Sequence, residues 1–101
     1  MRVAAFLPGM RADFDQAFDW YASRSERAAL RFTEAIGETL SRICTAPESC
    51  ALIDAIHRQA RVKRFPYRVV FRIIDTNVII VALAHHSRLP DFWQPRGEES
   101  P

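Results

Sequence analysis

Apolar side chains recur every three or four positions through two adjacent stretches in the first half of the chain, the spacing of helices that bury one face. The first stretch covers residues 10–23 and the second covers 26–44. Ser25 is placed to cap the second helix, and Pro47 follows soon after its predicted end. Because the connection between the stretches is very short, we predict an antiparallel helical hairpin.

Strand patterns flank the hairpin on both sides. Residues 2–7 are mostly apolar and are followed by a Pro-Gly pair, which predicts a short N-terminal strand. A loop is expected over 47–54. Three strands are then predicted, over 58–65, 67–74 and 78–86, because β-branched and aromatic residues dominate most of this part of the chain. The second half therefore favours a meander of neighbouring strands.

The last two predicted strands are joined by Asp75-Thr76-Asn77, whose residue types suit a tight turn, with Ile74 opposite Val78. In this register one face is almost entirely apolar and is expected to pack on the helices; it carries Tyr67, Val69, Phe71, Ile73, Ile79, Val81, Leu83 and His85. The other face mixes apolar and basic residues and suits a partner; it carries Arg68, Val70, Arg72, Ile74, Val78, Ile80, Ala82, Ala84 and His86. We predict an α+β fold: an N-terminal strand, an antiparallel helical hairpin and a three-strand antiparallel meander.

Length and composition fit one small globular domain. The chain has 101 residues, of which 49% are hydrophobic, so we expect a single domain over 1–96 with a frayed tail over 97–101. The longest apolar run, 78–84, is far shorter than the roughly 20 residues that a membrane helix needs. Two cysteines without metal spacing predict free thiols. We expect a cytoplasmic protein with no membrane association, no metal site and no cofactor.

Charge adds a local feature to this picture. The net charge is only +2, but no acidic residue lies between positions 57 and 72. That interval holds a basic set, which consists of Arg58, Arg61, Lys63, Arg64, Arg68 and Arg72. Such a set could bind RNA or an acidic protein segment, and charge also protects a solvated strand edge.

Three motifs together resemble the RelE/ParE superfamily. They are the Trp20-Tyr21 pair, the basic and aromatic segment 64–72, and the ending over 84–93, AHHSRLPDFW. The resemblance covers about residues 1–96. It implies a small cytoplasmic bacterial toxin of a type II toxin-antitoxin module, the group often called plasmid stabilisation proteins.

The resemblance also implies a mode of action and a partner. Such a toxin arrests growth when free and is silenced by a cognate antitoxin that wraps around it. RelE-like members cleave mRNA in the ribosome, whereas ParE-like members poison DNA gyrase. The shared fold does not choose between these targets. A degenerate relative without toxicity, serving as an antitoxin or a DNA-binding co-regulator, is a third reading.

Two residues are candidate catalytic groups if the chain is RelE-like. Arg68 resembles the arginine that some of these nucleases place on the scissile phosphate, and His86 resembles the histidine near the end of their last strand. In the predicted register Arg68 lies opposite Ala84 and diagonally near His86. The nucleases commonly place an aromatic hydroxyl or a further acid-base group beside that histidine, whereas Ser87 follows here. This departure favours gyrase inhibition, with mRNA cleavage as the alternative.

The remaining candidates are binding residues. Target or antitoxin contact is predicted for Arg61, Lys63, Arg64, Arg68, Arg72, Arg88 and Trp20. Trp20 lies off the apolar stripe of the first helix, so it either faces a partner or caps the rim of the core. His85 falls on the apolar face of its strand, which is typical of a structural histidine.

Overall fold

A computed structural model describes residues 2–88 and 92–98. Strand β1 comes first, followed by two helices and four further strands, with a 3₁₀ turn before β2 and another near the end. The bounds are β1 Ala4–Phe6, α1 Pro8–Ala22, α2 Glu26–Thr45, a turn Pro47–Ser49, β2 Ala51–Leu52, β3 His57–Arg61, β4 Tyr67–Ile74, β5 Asn77–His85 and a turn Gln94–Glu98. This order confirms the predicted α+β class.

The strands form one sheet in the order β1-β5-β4-β3-β2. Strands β3, β4 and β5 make the predicted antiparallel meander. Strand β1 pairs with β5 in parallel, which makes the sheet mixed. The predicted loop over 47–54 contains the first 3₁₀ turn and the two-residue strand β2, which pairs with β3.

The hairpin turns where the sequence predicts, and α1 begins two residues earlier than the predicted start at residue 10. Pro8 occupies the first turn of α1, where its missing N–H costs nothing. Ser25 caps α2, since its side chain accepts a hydrogen bond of 3.2 Å from the backbone N–H of Ala28. Between the helices the backbone N–H of Ser25 donates to the carbonyl of Tyr21, which closes the tight connection.

The main core lies between this hairpin and one face of the sheet. Phe32 of α2 is fully buried at its centre, and its ring packs within 5.8 Å of Phe14, Tyr21, Phe65 and Tyr67, measured between ring centroids. Aromatic pairs at these separations stabilise a core beyond the apolar area that they bury.

The turn between β4 and β5 differs from the prediction. It has two residues, not three, and pairs Ile74 with Asn77, with Asp75 at a positive φ of 54°. The predicted pairing of Arg68 with Ala84 nevertheless holds, because a β-bulge between the two halves of the ladder absorbs Val81 as an extra residue; Tyr67 accordingly pairs with His85.

The bulge exchanges the faces of the residues on its hairpin side. Val78 and Ile80 belong to the main core with the helices, whereas Ile79 and Val81 lie on the opposite face. The predicted placement of these four residues was therefore wrong, because a one-residue shift moves every side chain to the other face of a strand.

The C-terminal segment covers part of that opposite face. Trp93 is buried against Val70, Val81 and Ala82, with Phe92 packed beside it. Phe92 and Trp93 thus anchor the C-terminal segment on the sheet. Of the predicted frayed tail, residues 97 and 98 belong to the last 3₁₀ turn, and residues 99–101 lie outside the described residues. Residues 89–91, which precede this segment, also lie outside the described residues.

An ion pair fastens this segment to α1. Arg96 Nη1 lies 2.6 Å from Asp13 Oδ2, and Arg96 Nη2 lies 3.1 Å from Asp13 Oδ1. Arg96 also donates to the carbonyl of Val81, at the bulge. It passes so close to Gly9 that a Cβ there would clash with Arg96 Nε. Asp13 also accepts a bond of 3.0 Å from the backbone N–H of Leu83.

Two properties of residues 2–88 and 92–98 bear on the sequence predictions. None of the helices there combines the length and apolar character that crossing a membrane requires. The same residues contain no group of three or more His, Cys, Asp or Glu side chains placed to hold a metal ion.

Candidate binding surfaces

The sheet face turned away from the helices, here called the open face, carries two arginines directly opposite each other. Arg61 of β3 pairs with Arg68 of β4, and Arg68 pairs in turn with Ala84 of β5. Directly opposed residues have Cβ atoms about 5 Å apart, and like charges in this position repel. Neither guanidinium has an acidic partner among the described residues. The pair is therefore suited to an anionic group of a partner.

Arg72 extends this row towards the C-terminal segment. It lies opposite His57, and its Nε is buried without a hydrogen-bond partner among the described residues. His57 is itself fixed: its ring centroid lies 4.5 Å from that of Trp93, and its Nδ1 lies 2.9 Å from Asp54 Oδ2. Arg72 thus lies beside a fixed neighbour, His57, and its Nε can still donate a hydrogen bond.

Asp54 organises the loop that leads into β3. Burial by itself would raise the pKa of Asp54, but hydrogen bonds from the backbone N–H groups of His57 and Ile56, and from the His57 ring, hold it below its usual value. The carboxylate is therefore the form that the native loop favours.

The other basic residues of the segment do not join this row. Lys63 lies 3.3 Å from Glu38 of α2, and Arg64 occupies the adjoining turn with a positive φ of 71°. Both line a depression beside α2, together with Glu34 and Glu38. The basic run is therefore divided between two sides of the molecule.

Trp20 and Arg88 meet in a cleft on the helix side of the sheet. The aromatic cleft, as we call it, has a volume of about 370 Å³; it is lined by Asp13, Gln16, Ala17, Trp20, Tyr21, Pro66, Tyr67, Leu83, His85, Ser87 and Arg88. Trp20 is 51% exposed and carries the guanidinium of Arg24 over its ring at 3.7 Å. Trp20 is thus half-exposed at the edge of the cleft, and its contact with a partner stays a prediction.

His85, which the sequence predicts as a structural histidine, also lines the cleft. It lies on the helix side as predicted and packs edge-on against Tyr67, with ring centroids 5.0 Å apart. It is only half-buried, because the strand ends beside the cleft. The alternation of the strand placed the ring correctly, but only the position of α1 shows that its edge is accessible.

His86 follows β5 and is exposed. Its backbone N–H donates to the carbonyl of Pro66, which holds it at the same end of the sheet as Arg68. Among the described residues its side chain makes no hydrogen bond or ion pair. The two candidate catalytic residues are thus brought to one region without direct contact.

A third surface, the hairpin groove, runs between the two helices and strand β1. Its volume is about 370 Å³, and its lining is mostly apolar; it consists of Phe6, Met10, Arg11, Phe14, Thr33, Ile36, Gly37 and Leu40. Phe6 is 43% exposed, and Gly37 faces open space, since an added Cβ would meet no atom within 4 Å. Apolar surface of this kind is typical of a protein interface.

Comparison with known proteins agrees with this architecture. The mixed sheet with a helical hairpin on one side is similar in fold to a solved structure described as a chromosomal ParDE TA system from P. aeruginosa, with a TM-score of 0.73. That match has 19% sequence identity and covers 84% of this chain and 96% of that chain. A family model described as the ParE toxin of the type II toxin-antitoxin system parDE matches residues 5–90. The chain belongs to that family. No curated protein matches it.

Proposed function

We propose that this chain is the cytoplasmic toxin of a toxin-antitoxin pair, which arrests growth by binding and inhibiting DNA gyrase and is held inactive by a cognate antitoxin. Membership of the ParE family supports this role. The observation that carries it is the Arg61–Arg68 pair, which presents two uncompensated cations on the open face. Arginine is well suited to bind carboxylates or phosphates of a macromolecular target.

The composition of the open face favours a binder over a catalyst. Cleavage of RNA without a metal requires a base for the 2′-hydroxyl, an acid for the leaving oxygen and cations for the developing charge. Along the described strands, this face supplies the cations but no aspartate, glutamate or tyrosine. The histidines near this face are His57, which is held by Asp54 and Trp93, and His86, so an acid-base pair beside Arg68 is incomplete.

A direct test uses the purified chain with gyrase. We expect it to inhibit supercoiling in proportion to its concentration, and its expression in bacteria to arrest growth with a DNA damage reporter switched on and mRNA intact. Adding the antitoxin should restore both supercoiling and growth. Arrest with cleaved mRNA and unaffected gyrase would contradict the gyrase proposal, and absence of arrest would indicate a non-toxic relative.

The alternative function, ribosome-dependent mRNA cleavage, is supported by the placement of Arg68 and His86 at one end of the sheet. It has its own test. The double variant Arg68→Ala, His86→Ala should then abolish RNA cleavage, whereas a gyrase inhibitor should show no cleavage to lose.

We further propose that the antitoxin occupies the hairpin groove as well as the open face. The groove offers apolar side chains of Phe6, Ile36 and Leu40 beside the outer edge of β1, and a partner segment can add both side-chain and main-chain contacts there. Gly37 makes the groove accessible, because it stands on the exposed side of α2 without a side chain.

Substitution of Gly37 tests this placement. We expect Gly37→Trp to weaken antitoxin binding by about 100-fold or more, because a fully blocked apolar interface loses at least 3 kcal/mol. Gly37→Ala is the matched control. It should bind normally and be more stable by about 0.5 to 1 kcal/mol, since glycine is unfavourable in a helix interior. Affinity can be measured by titration calorimetry; equal affinity of the two variants would place the antitoxin elsewhere.

A further inference from the structure

The aromatic cleft is separate from both surfaces used by the proposed function. It lies on the helix side of the sheet, so the sheet itself separates it from Arg61 and Arg68, and its lining shares no residue with that of the hairpin groove. Four ring systems contribute to its walls, from Trp20, Tyr21, Tyr67 and His85. The rings are braced against one another: Trp20 and Tyr21 meet edge to face at 5.0 Å, as do Tyr67 and His85.

The polar groups of the cleft include several hydrogen-bond donors. Ser87 donates its backbone N–H to His85 Nδ1 over 3.0 Å, which places the proton of the neutral ring on Nε2. Among the described residues Nε2 has no partner. Burial raises the pKa of Tyr21, and burial together with the nearby Tyr21 raises that of Tyr67. Both hydroxyls therefore remain protonated at neutral pH and can donate.

The one carboxylate of the described cleft lining is not available to a ligand. Asp13 accepts two hydrogen bonds from Arg96 and one from the backbone of Leu83. At the mouth, by contrast, Arg88 lies over the ring of Phe92, 3.9 Å from its centroid, and makes no ion pair within the described residues. The cleft therefore combines flat apolar walls, unpaired donors and a net positive charge.

We propose that this cleft binds a nucleotide. A base is flat, stacks on aromatic rings and presents acceptors at its edge, while a phosphate pairs with a guanidinium. The base would lie against the walls formed by Trp20 and Tyr67, with its acceptors towards His85 Nε2 and the tyrosine hydroxyls and its phosphate at Arg88. The volume of about 370 Å³ lies within the range of small-molecule sites.

A peptide fits these groups less well. Its main chain brings N–H donors that need acceptors, and the cleft lining offers no free carboxylate for them. A free nucleotide and a nucleotide within a single strand present the same base and phosphate, so the same cleft accommodates either. The two sources are distinguished by experiment.

Tryptophan fluorescence provides the readout, because the chain has two tryptophans and only Trp20 is exposed; Trp93 is 3% exposed. We expect adenosine monophosphate or uridine monophosphate to quench the signal of the full-length chain saturably. Adenosine alone and inorganic phosphate alone should each bind at least about tenfold more weakly than the monophosphate, since each supplies only part of the contacts. A single-stranded tetranucleotide that binds more tightly than the monophosphate would identify a strand as the source.

Variants locate the site. Arg88→Gln should weaken binding of the monophosphate about tenfold, and Ala17→Leu, which fills the cleft, should abolish it. Arg27→Gln, on an exposed position of α2, and Arg61→Gln, on the open face, are matched controls that should bind normally. Thermal unfolding establishes whether each variant is folded. If Ala17→Leu does not fold, Arg88→Gln alone provides the test.

Several results would overturn the proposal: no saturable quenching by either monophosphate, unchanged affinity in Arg88→Gln, inorganic phosphate binding as tightly as the nucleotide, or tighter binding of an acetylated Asp-Phe-Asp peptide. None of them bears on gyrase inhibition, because the supercoiling assay depends on the open face. The nucleotide site and the proposed function can therefore fail independently.

Discussion

Asp13→Ala is expected to lower the free energy of unfolding by about 3 to 5 kcal/mol, the cost of removing one member of a buried ion pair. The substitution leaves the Arg96 guanidinium without its bidentate partner and the backbone N–H of Leu83 without its acceptor. The side chains of Asp13 and Arg96 are only 7% and 17% exposed, so water compensates little. Because the free energy of unfolding of such domains is roughly 5 to 15 kcal/mol, the substitution should remove a large part of it.

Urea denaturation of the variant measures this loss, and the melting temperature should fall by about 12 °C or more. Asp15→Ala is the matched control on the same helix. Asp15 forms an exposed ion pair of 3.2 Å with Arg11, and such pairs contribute less than about 1 kcal/mol. If the free energy of unfolding fell by the same small amount in both variants, the Arg96 contact would not fasten the C-terminal segment to α1.

The double variant Arg61→Gln, Arg68→Gln is expected to lose growth arrest while remaining folded. Each arginine that binds an anionic group contributes about 1.5 to 3 kcal/mol, so removal of both should raise the concentration for half-inhibition of gyrase by about 100-fold or more. Stability should be unchanged or slightly higher, because the substitutions remove a repulsion between directly opposed cations.

The supercoiling assay without antitoxin measures the concentration for half-inhibition of gyrase, and thermal unfolding measures the stability of the variant. Arg27→Gln removes an exposed arginine from α2 and should retain full inhibition. Full inhibition by the double variant would exclude the open-face pair from target binding. A loss of inhibition accompanied by a lower melting temperature would indicate damage to the fold.

Several features were predictable because they depend on neighbours in sequence. The helical period placed Phe32 and Ile36 on the buried side of α2, and Ser25 caps the helix through a contact only three residues away. The family resemblance rested on local motifs as well, and the matched family agrees with it. The candidate residues Arg61 and Arg68 could be named, but their direct pairing required the register of β3 with β4.

Other features depend on contacts between distant parts of the chain. The bulge at Val81 arises from a competition between a two-residue turn and the pairing of Tyr67 with His85, and neither is visible from alternation alone. The division of the basic run, with Lys63 turned towards Glu38, follows from where α2 lies against the turn after β3.

By itself the sequence determined the class of fold, the order of the elements and the family. It also determined on which face of its helix or strand most core residues lie. These properties follow from periodicity and from local motifs, which act over a few residues. Only the tertiary structure decided that Asp13 pairs with Arg96, that Trp20 and Arg88 share one cleft, and that the open face is partly covered by Trp93. Such contacts join residues far apart in the chain, and their geometry is fixed only when the helices and the sheet pack together.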